Sequence, residues 1–119
     1  MKNYITDNYL YVGIGLKIKL FLKMNNMKKN TFALKILTNS SYIPRLINAS
    51  SLSEIPNNLL LGLYYYFTSE IKNIIISDDL TSEEKFKYKL IVDIYTEIVK
   101  ETNKRTEITP KNSADRKRK

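Results

Sequence analysis

The clearest pattern along the chain follows Asp78-Asp79. Phe86, Leu90, Ile91, Ile94, Tyr95 and Ile98 recur there at three- and four-residue spacing, with Lys85, Lys89, Asp93, Glu97, Lys100 and Glu101 between them. This periodicity predicts an amphipathic helix with one face in a core and the other in water. Its start is marked by Thr81-Ser82-Glu83-Glu84, a capping box whose two acids also suit the positive end of the helix dipole. A second stripe, Leu59, Leu63, Phe67, Ile71, Ile74 and Ile75, follows Ser53-Glu54-Ile55-Pro56, where an N-cap, an acid and a proline predict a helix start. Gly62 lies within that stripe and allows a neighbour to approach closely. The β propensity of Tyr64-Tyr65-Tyr66-Phe67 and of Ile74-Ile75-Ile76 keeps a strand open as the alternative at either place. Ser77-Asp78-Asp79 is a short, turn-forming link, so the two helices are expected to form an antiparallel hairpin.

Upstream, Phe32, Ala33, Ile36 and Leu37 fall at helical spacing within Thr31–Thr38. Asn39-Ser40-Ser41 then interrupts the pattern before Tyr42-Ile43-Pro44-Arg45-Leu46-Ile47. Two short helices packed on the hairpin would complete an all-α, three- or four-helix antiparallel bundle, placed here at residues 24–105. Residues 1–23 are read separately. Leu16, Ile18, Leu20 and Leu22 alternate with Gly15, Lys17, Lys19 and Phe21, a period of two that suits a strand or an amphipathic surface segment. Met24 and Met27 follow at once, so the alternative reading starts translation at one of them and leaves 1–23 untranslated. At the other end, residues 106–119 hold one large aliphatic side chain, Ile108, then Pro110 and a closing basic run, and are expected to be a disordered basic tail.

Composition then removes chemistry. The 119 residues include no cysteine and no histidine. That excludes thiol nucleophiles, thiolate metal sites, disulfides and the usual neutral-pH base, and points away from an enzyme. Asp78, Asp79, Glu83 and Glu84 lack the glycine and ligand alternation of a calcium loop, and the three glycines form no phosphate loop, so no cofactor, metal or small-molecule substrate is expected. Neither a secretory signal nor a membrane-spanning run is recognisable, since the longest apolar run, Leu59–Phe67, is far short of roughly 20 residues. The expected location is the cytoplasm. The formal charge of +8 is concentrated toward the ends. In the tail, Lys111, Arg116, Lys117, Arg118 and Lys119 are candidates for weak, non-specific contact with nucleic acid or an anionic membrane.

One local pattern points to a family. Asn39-Ser40-Ser41-Tyr42-Ile43-Pro44-Arg45-Leu46, followed by Leu63-Tyr64-Tyr65-Tyr66-Phe67-Thr68-Ser69-Glu70, resembles the small bacteriocin immunity proteins of lactic acid bacteria over roughly residues 39–70. The resemblance implies a cationic four-helix bundle without catalysis. It also implies self-protection of a producer cell from inside, at a sugar-transporter membrane complex, with the protein peripheral at the inner membrane face. Tyr42, Pro44 and Arg45 are the partner-contact candidates. Two other readings fit the residues: a basic nucleic-acid accessory protein of phage or plasmid origin, and a structural subunit assembling through the Leu59–Ile75 stripe.

Overall fold

A computed structural model describes the backbone of residues 13–118 and the side chains of 13–105. Among the described residues the protein is all helical and contains no strand. Five helices follow one another in the described residues: α1 (Ile14–Met24), α2 (Lys29–Lys35), α3 (Ile43–Ile47), α4 (Asn57–Lys72) and α5 (Ser82–Arg118), with single 3₁₀ turns at Ser40–Tyr42 and Leu52–Glu54. The expected disordered tail at 106–119 falls on residues whose side chains lie outside those described, as do Lys111 and Arg116 through Lys119.

The capping box forms as read. The Thr81 amide donates to Glu84 Oε1 at 2.8 Å and the Glu84 amide donates to Thr81 Oγ1 at 3.1 Å, satisfying two amides at the start of α5. Leu90, Ile91, Ile94 and Ile98 are buried, and Phe86 and Tyr95 pack partly buried against them. The start of α4 differs from the expectation by several residues. Ile55 is extended, with φ −105° and ψ 152°, because the ring of the following proline disfavours a helical residue before it. Pro56 therefore precedes the helix, which opens at Asn57, and Ser51–Ser53 closes the small 3₁₀ turn instead. Tyr64–Phe67 is helical and Ile74–Ile76 lies outside any element, so neither strand alternative is realised.

The largest difference is at the N-terminus. Residues 14–23 are helix, not strand, and belong to the core, so the bundle does not begin at residue 24. Ile14, Ile18, Phe21 and Leu22 are buried at i, i+4, i+7 and i+8, a helical face hidden beneath the more obvious alternation of Leu16, Ile18, Leu20 and Leu22. Phe21 meets Phe67 at 5.1 Å between ring centroids and Phe32 meets Tyr66 at 5.6 Å, so α1, α2 and α4 share one aromatic cluster.

Two glycines set the helix spacing. A Cβ on Gly62 would collide with the carbonyl oxygen of Ile36, just past α2. On Gly15 it would collide with the carbonyl of Ile47 and lie 2.7 Å from that of Ala49, to which the Gly15 amide donates at 3.0 Å. Helices α1 and α2 also end on left-handed residues. Asn26 (φ 51°) and Leu37 (φ 60°) carry hydrogen bonds from Met27 N to Leu22 O and from Thr38 N to Ala33 O, each closing a Schellman turn.

Candidate functional site

The residues singled out by the sequence occupy one displayed turn. Tyr42 ends the 3₁₀ turn and Pro44 and Arg45 belong to α3, where Pro44 at the helix start costs no hydrogen bond. All three are exposed, Tyr42 at 36%, while Ile43, Leu46 and Ile47 between and after them are buried. Alternation of this kind fixes the backbone through its apolar residues and leaves a ring, a pyrrolidine and a guanidinium facing outward. The carbonyls of Ile47 and Ala49 are held against Gly15 of α1, which anchors the far end of the turn.

Two side-chain anchors join α5 to the rest of the chain, one through ion pairs and one through hydrogen bonds to neutral groups, and the sequence pattern alone shows neither. Lys17 is buried at 6% exposure on α1, and its amine lies 2.8 Å from Asp93 Oδ2 and 2.6 Å from Glu97 Oε2. Burial pulls the amine down, but the two carboxylates outweigh it and hold the pKa above its ordinary 10.5. Asp93 and Glu97 thus leave the solvated face assigned to them and cap a buried charge. Arg105 forms the second anchor. Its guanidinium donates to Glu101 at 2.7 Å, to Asn57 Oδ1 at 2.6 Å, and to the carbonyls of Leu52 and Ile55 at 2.9 Å each. The fork thereby ties α5 to the irregular segment that precedes α4. Tyr66 donates its hydroxyl to Glu70 at 2.6 Å, and burial, with that carboxylate, pushes its pKa upward.

Charge is divided along the chain more sharply than its ends suggest. Residues 13–53 contain Lys17, Lys19, Lys23, Lys28, Lys29, Lys35 and Arg45 and no acid, whereas residues 54–105 contain nine acids and seven basic residues. All of the first group except Lys17 are exposed. The signal was available in the sequence, but a boundary drawn at Met24 cuts the cationic segment in two and averages its second part with the acids downstream.

Among the described residues no group of histidine, cysteine, aspartate or glutamate side chains is placed to hold a metal ion. No helix among them is long and apolar enough to cross a membrane. Comparison with protein-family models, curated proteins and solved structures returns no match.

Proposed function

We propose that the protein is a non-enzymatic helical binding protein, a small antiparallel bundle whose task is bacteriocin immunity exerted on a membrane transporter complex from the cytoplasmic side. The observation that carries this reading is the Tyr42–Arg45 turn. It lies within the stretch that resembles the immunity family, and its contact residues are exposed on a backbone anchored by Ile43, Leu46 and Ile47. The order of contacts favours the antiparallel hairpin, because Asn57 at the start of α4 meets Arg105 while Tyr64 further along stacks on Tyr95 at 6.1 Å. A structural subunit assembling through Leu59–Ile75 is the weaker reading, since Leu59, Leu63 and Phe67 are spent on the protein's own core.

The test is expression of the full chain in a sensitive lactic acid bacterium, challenged with a panel of peptide bacteriocins that engage the sugar transporter. Protection against at least one peptide is expected, together with its loss in Arg45→Glu at unchanged protein level. Sensitivity to every peptide in the panel contradicts the reading.

A further inference from the structure

The outer side of α1 has a composition that the core does not require. On a helical wheel Lys19, Lys23, Leu16 and Leu20 fall in that order within about one third of a turn, opposite Ile18 and Phe21. Leu16 is 52% exposed, Lys19 and Lys23 are exposed, and Leu20 is half-buried. In the turn that follows, Lys28 and Lys29 are also exposed, next in sequence to the partly buried Met27. None of these four lysines forms an ion pair among the described residues, and no acid occurs anywhere in residues 13–53.

From this geometry we propose that the outer face of α1 and its turn into α2 form a docking site for an anionic phospholipid surface. The partner's charge follows from that of the face: four ammonium groups with no ion pair among the described residues, in residues 13–53 without a carboxylate, attract a surface of fixed negative charge. Lipid is favoured over nucleic acid by Leu16 and Leu20, which share the exposed strip with Lys19 and Lys23. A bilayer interface accepts leucine beneath a fringe of lysine, whereas a phosphate backbone offers it nothing. The leucines sit at the headgroup boundary and the lysines reach lipid phosphates. This site rests on the folded N-terminal segment, not on the C-terminal basic run. It stands independently of bacteriocin immunity, although a protein working at a membrane complex would gain from it.

Co-sedimentation of the full chain with vesicles tests the site. Phosphatidylcholine vesicles with about 30% phosphatidylglycerol should bind the protein at low salt, and pure phosphatidylcholine vesicles should not. Each lysine near such a surface is worth roughly fivefold in partitioning, so the combined Lys19→Gln, Lys23→Gln, Lys28→Gln and Lys29→Gln variant should bind at least about 100-fold more weakly. Glutamine keeps the helix propensity of lysine, so an unchanged circular dichroism spectrum is expected. Leu16→Ser should lose about tenfold, a loss that persists in high salt where the lysine effect is screened. A matching variant with Arg116, Lys117, Arg118 and Lys119 all changed to Gln reports the tail. Binding by the four-lysine variant within about threefold of the parent, equal binding to neutral vesicles, or binding to duplex DNA without binding to vesicles would each overturn the proposal.

Discussion

Residues 13–53 and residues 54–105 solve the same packing problem with different means. The second segment contains the two long helices, and every acid among residues 13–105 lies in it. The first segment has three short helices, seven cations and no acid, so it cannot neutralise its own charge. Its one buried cation, Lys17, is compensated entirely from the other side, by Asp93 and Glu97 of α5. The N-terminal segment therefore depends on the C-terminal one for both apolar cover and electrostatic balance, and its remaining cations are left facing water. Arg105 shows the contrast. It ties α5 to the chain through two neutral carbonyls and an amide, while its one carboxylate partner, Glu101, lies on α5 itself, so the link relies more on hydrogen-bond geometry than on charge.

The heaviest blow to this interdependence is removal of α1. A chain beginning at Met24 lacks Ile14, Ile18, Phe21 and Leu22, each worth about 1.5–3 kcal/mol of burial, against a total stability of about 5–15 kcal/mol for a small domain. Thermal scans of that truncation should show no cooperative transition. A normal melt would mean that α1 is dispensable.

Charge compensation comes next. The double change Asp93→Asn and Glu97→Gln leaves a buried ammonium without a carboxylate and should cost about 3–5 kcal/mol. Lys17→Met should cost less, about 1–2 kcal/mol, because both carboxylates are about one third exposed and can hydrate. The reverse order in denaturant melts would place the penalty on the acids. The pH dependence has a definite sign. A folded-state pKa above the ordinary 10.5 means that the lysine's contribution is complete below 10.5 and fades as pH rises through the folded value. On the alkaline side, stability of the parent relative to Lys17→Met should thus narrow only at strongly alkaline pH. The raised Tyr66 acts in the same direction, and taking the difference from Lys17→Met cancels it.

At the helix crossings, propensity and packing make opposite forecasts. Gly→Ala inside a helix ordinarily stabilises by about 1 kcal/mol. At Gly62 and Gly15 the new methyl group meets a backbone carbonyl, so each substitution should instead destabilise by about 1–3 kcal/mol. A rise in Tm for either would show that the helices separate freely. Among the smaller effects, Thr81→Ala should cost about 1 kcal/mol through loss of the cap on α5. Leu37→Gly should stabilise by a similar amount, because Leu37 is left-handed and 84% exposed, with little packing to lose. Opposite signs are expected from these last two in the same melt.

What could be read from the sequence follows from how local each signal is. Thr81-Ser82-Glu83-Glu84 and the stripe from Phe86 to Ile98 are local statements of one helix, and both are realised. Gly62 was legible as a close approach, though its partner, the Ile36 carbonyl, lies far away in the chain. The helical face of α1 was not legible, because two periods coexist there and Leu16 and Leu20 complete the wrong one. Lys17 was missed for a different reason. A lysine among leucines signals a solvated face until the carboxylates that bury it are known, and those lie eighty residues downstream for Glu97. The Tyr42–Arg45 turn was visible as a candidate, but its exposed and buried alternation required the fold.

Amide hydrogen exchange on the full chain tests the central claim, that α1 and α5 form one cooperative core, most directly. Protection of Ile18, Phe21 and Leu22 should fall within about tenfold of that of Leu90, Ile91 and Ile94, since all would open only with global unfolding. Exchange of the α1 amides at rates close to those of a free peptide, with α5 still protected, would contradict it.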